Sequence, residues 1–215
     1  KIKYLLIIFI SSLSTLWNFD SGIICFLSFY IYILYEKLMN NNLRIYVLEF
    51  FKHTLTSVSI LILTFFLYSI IIYFQSNNFP DWNSYLITPQ IFGLTGFFSL
   101  PMPIFNAWNF ISLVYLYGIY IGINSILFNK IDSLDKVAFF VSIFGFGISS
   151  YYLNRSADSN LLQVLYPTFI LLAIFLSKAL DKNAKESLFQ IKNFIVTLII
   201  SFILVVILFQ ILQPI

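Results

Sequence analysis

The stretch SSYYLNRSADSN, residues 149–160, is a polar segment between two apolar ones and contains Asn154, Arg155 and Asp158. An arginine near a membrane can bind a phosphate through two parallel hydrogen bonds, which a lysine does less well. A carboxylate beside it can coordinate a divalent ion or accept a proton from a hydroxyl group. The stretch therefore predicts a binding site for an anionic ligand. Two alternatives stay open: Arg155 pairs with Asp158, or it contacts lipid phosphates.

Two other polar segments contain further candidate ligand contacts. Asp20 lies in WNFDSG, and Asp81 and Trp82 lie in QSNNFPDWNSYLITPQ. The structural alternative for both acids is that they cap a helix or turn the chain. For Trp82, as for Trp17 and Trp108, the alternative is an interfacial aromatic belt. The residues predict no thiolate metal site and no paired-histidine metal site, because the chain has one cysteine, Cys25, and one histidine, His53.

The composition defines the environment in which these residues must work. The chain of 215 residues is 60% hydrophobic and 10% charged, with a mean hydropathy of +0.92. Such a chain cannot cover a water-soluble domain of this size with polar surface. The net charge of +3 is not gathered into a basic patch, which argues against a nucleic-acid partner. The predicted fold class is all-α, a polytopic transmembrane helix bundle. We expect residues 1–215 to form a single domain, the carboxyl-terminal part of a longer chain.

Hydropathy predicts about seven membrane spans. They cover residues 4–17, 23–35, 54–74, 106–128, 137–153, 161–176 and 193–213. The first span is short against the roughly 20 residues that a bilayer requires. Residues 38–53 predict either an amphipathic helix in the headgroup plane or a plain extension of the next span.

The region between the third and fourth spans is rich in helix breakers. Pro80 and Pro89 predict an extramembrane loop over residues 75–90. The apolar stretch that follows, residues 91–103, is too short to cross and contains two glycines and two prolines. It predicts a re-entrant or interfacial segment, and therefore a cavity on that face, because irregular backbone at membrane depth must be surrounded by protein or water.

Basic residues predict the orientation of the bundle. Of 12 Lys and Arg residues, these spans put 11 on one face and only Arg155 on the other. By the positive-inside rule the amino terminus is cytoplasmic and the carboxyl terminus is outside. The acids of the outer face are then Asp20, Asp81 and Asp158. Gly118 and Gly122, four residues apart in the fourth span, predict a close helix contact, either within the chain or in a dimer.

The order of these features resembles the carboxyl-terminal half of the bacterial GT-C class of membrane glycosyltransferases. The resemblance is carried by LWNFDSGIICFL, PDWNSYLITPQIFGLTGFFSLPMP and YYLNRSADSNLL. It implies transfer of a sugar from a polyprenyl-phosphate donor at the extracytoplasmic face of a bacterial plasma membrane. For Arg155 it implies a phosphate contact, with or without a divalent metal, and for residues 80–103 a wall of the substrate cavity. It also implies that the catalytic base lies ahead of this chain, so Asp20 does not inherit that role.

Two other classes of function remain open. A non-catalytic subunit of a membrane complex would use Arg155 and Asp81 to contact partner chains and would need no cavity. A transporter of lipid or solute should have ionisable residues deep within its spans and an internal repeat. The predicted spans have essentially no such residues and no repeat is visible, which argues against proton-driven transport.

Overall fold

The computed structural model describes residues 2–40, 43–93, 100, 103, 106–128, 132–153, 156 and 158–180. All regular elements in these ranges are helical, as the composition predicted. They are α1 (Ile2–Trp17), α2 (Phe19–Asn40), α3 (Leu43–Ser76), α4 (Trp82–Gly93), α5 (Ala107–Leu127), α6 (Ser133–Ile148), a 3-10 turn (Ser149–Tyr151) and α7 (Asp158–Leu180). The chain divides into two compact units, Lys1–Ser99 and Leu100–Ile215, called here the amino-terminal and carboxy-terminal units.

Among the described residues, five helices are long and apolar enough to cross a bilayer. They are α2, α3, α5, α6 and α7, and they identify a multi-pass membrane protein. The first predicted span, α1, is a shorter apolar helix. The seventh, residues 193–213, lies outside the described residues.

In the amino-terminal unit, α1 and α2 form the predicted hairpin, which turns at a single residue, Asn18. The Asn18 side chain accepts a hydrogen bond from the backbone N–H of Asp20 at 3.1 Å and so caps α2. Gly22 allows the two backbones to meet, since a Cβ there would lie 2.2 Å from the Ser14 carbonyl oxygen. The core of this unit is formed by Ile8, Phe26 and Ile33, with Ile60 and Leu61 of α3 packed against it.

Helix α3 is a single helix of 34 residues. Residues 43–53 are its first turns, so of the two predicted alternatives the structure has the plain helix extension. Lys37 at the end of α2 pairs with Glu49 of α3 at 3.5 Å. This ion pair therefore joins α2 and α3 close to the segment that connects them.

Helix α4 corrects the prediction that residues 75–90 form a loop without a helix. It contains Pro89 in its interior and begins immediately after Asp81. The prolines predicted a loop because proline has no N–H to donate within a helix. The helix forms nevertheless, because Pro80 precedes it and the Asp81 side chain caps its first turn.

The carboxy-terminal unit is a bundle of α5, α6 and α7 around Val114, Tyr115, Ala138 and Leu171, all fully buried. Gly118 and Gly122 face Ser142 and Phe139 of α6 within the same chain, so the intrachain alternative for this glycine pair is confirmed. Tyr115 donates a hydrogen bond of 2.5 Å to the Val164 carbonyl of α7, three residues before Pro167, the proline inside that helix.

Helix α6 begins at Ser133, four residues before the predicted start of this span, because Asp132 accepts a hydrogen bond from the Leu134 N–H and caps it. Asp135 is thus part of the helix and is 7% exposed. It accepts hydrogen bonds from Ser125 of α5, at 2.9 Å, and from Lys178 of α7. This buried network ties together one end of all three helices.

Candidate functional site

The structure describes three of the six predicted site residues completely. Asp20 is the second residue of α2, Asp81 immediately precedes α4, and Trp82 is the first residue of α4. Asp158 is the first residue of α7 and not part of a loop, but its side chain lies outside the described residues. Asn154 and Arg155 also lie outside the described residues, as does most of the predicted re-entrant segment.

Asp81 is the N-cap of α4, the structural role that was one of its two predicted alternatives. One carboxylate oxygen accepts hydrogen bonds from the N–H groups of Asn83, at 3.0 Å, and Ser84, at 3.2 Å. The other accepts from the Ser84 hydroxyl group at 2.5 Å. The Ser84 hydroxyl bond and these backbone bonds lower the pKa of the Asp81 carboxyl, which keeps it ionised. The first oxygen accepts two hydrogen bonds and the second accepts one, so the second retains capacity for one further donor.

Trp82 and Tyr85 join α4 to the rest of the unit. Trp82 packs against Phe65 and Tyr68 of α3, with ring centroids 5.1 and 6.0 Å apart, and against Tyr85. Tyr85 donates a hydrogen bond to the Thr15 carbonyl of α1. Its pKa is raised by burial, and the charges of Tyr68 and Asp20 act in the same direction.

These contacts bring two of the predicted acids, Asp20 and Asp81, into one assembly. The negative charge of Asp20 helps to raise the pKa of Tyr85, and the ring of Phe19, the residue before Asp20, meets the Tyr85 ring edge-to-face at 6.1 Å. We call Thr15, Phe19, Asp20, Phe65, Asp81, Trp82 and Tyr85 the acidic–aromatic cluster. Sequence reasoning missed Tyr85, although its spacing of three residues from Trp82 puts both rings on one helical face.

The cluster lies level with Phe65 and Tyr68, about two-thirds of the way along α3. At the other end of the unit, the Tyr4 hydroxyl of α1 meets Nδ1 of His53 in α3 at 2.5 Å. Thr15 and Phe65, which are 11 and 12 residues further along their helices, both contact Tyr85. Helices α1 and α3 therefore run parallel and in step, and α3 continues for about 16 Å beyond the level of Thr15 and Phe65.

After the end of α3 the chain reverses direction and runs back alongside this helix. Asn77 adopts a positive φ of 55° directly after α3, a conformation that asparagine tolerates better than most residues. Phe79 then stacks on Tyr73 with ring centroids 4.8 Å apart, and Trp82 reaches Phe65. Residues 77–82 thus carry α4 back to the level of the α1–α2 turn.

The carboxy-terminal unit brings two other predicted parts of the outer face together. The Ser156 hydroxyl, next to Arg155 in the sequence, donates to the Leu100 carbonyl at 3.3 Å. Trp108 donates its indole N–H to the Pro103 carbonyl at 2.7 Å. The residues just before α7 and the end of the predicted re-entrant segment are therefore neighbours within this unit.

A second polar cluster was not predicted as a site. Nε2 of His53 lies 3.1 Å from the Glu49 carboxylate, which also pairs with Lys37 and Lys52. His53 is 7% exposed, and its other ring nitrogen meets Tyr4. The spacing of Glu49 and His53, four residues apart in a helix, was the available sequence signal. This arrangement links the ends of α1, α2 and α3.

Within the described ranges, no three His, Cys, Asp or Glu residues lie close enough together to hold a metal ion. Comparison with known proteins gives no matching family model, no matching curated protein and no matching solved structure. The function is therefore argued from the geometry of the acidic–aromatic cluster and from the sequence.

Proposed function

We propose that the acidic–aromatic cluster forms a polar recess in the outer half of the membrane, and that the chain is part of a glycosyltransferase that uses a polyprenyl-phosphate sugar there. The observation that carries the proposal is the extension of α3 beyond the cluster. The sequence resemblance to GT-C enzymes supports the choice of ligand.

The depth of the cluster follows from the apolar part of α3. Residues 54–74 contain no charge over 21 positions, which as a helix is about 32 Å and matches a hydrocarbon core of about 30 Å. Leu55 and Phe74, near the two ends of this stretch, are 71% and 80% exposed. Such side chains belong in lipid, so the membrane extends along this whole stretch.

Trp82 contacts Phe65 and Tyr68, which precede Phe74 by nine and six residues. At 1.5 Å per residue, the start of α4 lies about 9 to 14 Å below the outer boundary of the hydrocarbon core. Two carboxylates at that depth, Asp20 and Asp81, require protein or a water-filled cavity around them. The α1–α2 turn lies at this depth too, inside the hydrocarbon core. This explains why α1 is shorter than a full membrane span.

A recess of this kind suits a ligand with a polar headgroup and a long apolar chain. The polyprenyl chain stays in the bilayer while the phosphate and sugar enter the polar space from the side. In the transfer, an acceptor hydroxyl oxygen bonds to the anomeric carbon, the bond from that carbon to the phosphate oxygen breaks, and a carboxylate base takes the proton.

The role of Arg155 comes from the sequence resemblance alone, which implies that it stabilises the charge that grows on the departing phosphate; an electrostatic contact strengthened in the transition state accelerates the step. A divalent ion could bind here only through those carboxylate oxygens of Asp20 and Asp81 that still have a free lone pair. Neither Asp20 nor Asp81 acts as the catalytic base in this proposal.

The test compares three ligands on the full-length protein in nanodiscs: a polyprenyl-phosphate sugar, the same polyprenyl phosphate without sugar, and the soluble sugar phosphate. We expect the lipid-linked sugar to bind most tightly, the polyprenyl phosphate less tightly, and the soluble sugar phosphate at least about 100-fold more weakly, since the buried chain contributes about 0.8 kcal/mol per CH₂. Equal binding of the soluble compound, or binding of none of the three, would refute the proposal and favour the subunit alternative.

A further inference from the structure

A groove runs between α1 and α3 on the outside of the amino-terminal unit. It has a volume of about 520 Å³ and a largely apolar lining, with Leu5 and Phe9 on one wall and Leu55, Ser59 and Leu63 on the other. The polar cluster of Glu49 and His53 lies at one end of it, the end that the charge distribution predicts to be cytoplasmic. The groove is thus separate from the acidic–aromatic cluster.

Lys52 stands on the same face of α3 as this wall. Lys52, Thr56, Ser59 and Leu63 are spaced by four, three and four residues, which is the repeat of one helical face. The Lys52 side chain is 67% exposed. It precedes the charge-free stretch of α3 by two residues, and this puts its ammonium group at the boundary between hydrocarbon and headgroups.

The distance from Lys52 to the far end of the groove matches the thickness of one leaflet. Lys52 to Leu63 is 11 residues, or about 16 Å along the helix, and half of a hydrocarbon core is about 15 Å. The Thr56 hydroxyl group in the lining does not disfavour an apolar ligand, because its hydrogen bond is already made: it donates to the Lys52 carbonyl of its own helix at 2.8 Å.

Lys52 is the most exposed member of the ion-pair group beside the groove. Glu49 pairs with both Lys37 and Lys52, and their side chains are 24%, 38% and 67% exposed in that order, so the outermost charge of the three is positive. Anionic headgroups of a cytoplasmic leaflet are attracted to such a site.

We propose that the groove binds one acyl chain of an anionic phospholipid of the cytoplasmic leaflet, with the lipid phosphate held by Lys52. The charge of Lys52 selects the headgroup, and the apolar walls of α1 and α3 hold the chain. This inference does not rest on the proposed glycosyltransferase function, since it concerns the opposite end of the unit.

The experiment titrates delipidated full-length protein with phosphatidylglycerol and with phosphatidylcholine of the same acyl chains, and counts bound lipid by native mass spectrometry. We expect the wild type to prefer phosphatidylglycerol by about fivefold, the effect of one lysine near an anionic headgroup. Lys52→Gln should bind both lipids equally, while Glu49 keeps Lys37 and His53 as partners. Ser59→Phe, which fills the groove, should lower the binding of both lipids.

Two matched controls should behave as the wild type. Lys3→Gln removes an exposed lysine at the same end of the unit that is not on the groove wall, and Val58→Phe adds a ring on another exposed face of α3. If the Ser59→Phe protein fails to fold, the Lys52→Gln result decides alone, because that side chain is exposed.

Three results would overturn the proposal. The first is equal binding of the two phospholipids by the wild type, which would indicate only a general lipid shell. The second is a preference that survives Lys52→Gln. The third is displacement of phosphatidylglycerol by polyprenyl phosphate in the wild type but not in Ser59→Phe, which would assign the groove to the polyprenyl lipid.

Discussion

Asp81 has a structural role and a charge, and two substitutions separate them. Serine is as good an N-cap as aspartate, whereas alanine cannot cap. We expect Asp81→Ser to unfold at nearly the wild-type temperature and Asp81→Ala a few degrees lower, measured by thermal unfolding in detergent. Equal losses in both variants would mean that the charge, and not the cap, stabilises α4.

The Asp81 charge has its own pH dependence. Its hydrogen bonds lower its pKa in the folded protein below the ordinary value of 3.8. The carboxylate's stabilising effect is therefore complete above that value and is lost as the pH falls through the lower, folded-state pKa. We expect the difference in unfolding temperature between wild type and Asp81→Ala to shrink only at such acid pH.

The buried pair of Asp135 and Lys178 predicts a strongly non-additive effect. Lys178→Met leaves a buried carboxylate without its cation, so we expect a loss of about 3 kcal/mol in unfolding free energy. The double variant Asp135→Leu with Lys178→Met removes both charges and should recover most of that loss. Denaturant unfolding of the two single variants and the double variant gives the coupling. Additive losses would show that the two charges do not stabilise each other.

At the scale of helices, Gly22 and Gly118 offer a matched comparison. A Cβ at Gly22 meets the backbone of Ser14 and Thr15, while a Cβ at Gly118 first meets the Ser142 side chain, which can rotate. We expect Gly22→Ala to destabilise the protein by about 1 to 3 kcal/mol, since overpacked backbones must move apart. Gly118→Ala should cost clearly less. The reverse order, measured by chemical unfolding, would contradict the close contact of α1 and α2.

The helices show how far sequence reasoning can go. Hydropathy found the α1–α2 hairpin, the apolar part of α3 and the span of α5 because each is bounded by polar residues such as Asn18 and Asn106. It missed α4, because the general effect of Pro89 outweighed the local cap at Asp81. It also could not decide whether residues 43–53 form a separate helix, since an amphipathic start and a plain extension have the same pattern.

The candidate site was predictable only in part. The positive-inside rule assigned Asp20 and Asp81 to one face, but not to one assembly. Their association depends on Tyr85 reaching α1, and this depends on the relative level of α1 and α3. The relative position of two helices along their axes is set by side-chain packing over many residues, and a single sequence does not reveal this packing. The surroundings of Arg155 remain a prediction.

At the scale of the whole molecule, the predicted orientation in the membrane determines which positions a soluble reagent can reach from outside. Cys25 is the only cysteine, so Cys25→Ala gives a background for single cysteines at residues 78, 83 and 130. A membrane-impermeant maleimide added outside should label residue 78 fast and residue 83 more slowly. It should label residue 130 only after permeabilisation.

Residue 83 is the informative position, because it lies in the first turn of α4. A nitroxide attached there should report contact with both a polar relaxation agent and oxygen, as expected for a wet recess at membrane depth. A nitroxide as accessible to the polar agent as one at residue 78 would place α4 in bulk solvent. Labelling of residue 130 from outside would reverse the predicted orientation.

The most direct test of the central claim is the binding of a polyprenyl-phosphate sugar to the full-length protein in nanodiscs, with wild type compared with Arg155→Ala and Arg155→Lys. We predict that the wild type binds and that both variants lose affinity by about tenfold or more, or about 1.4 kcal/mol. Arg155→Lys is included because lysine keeps the charge but not the two parallel hydrogen bonds. Equal affinity in all three proteins, or no binding by the wild type, would contradict the account.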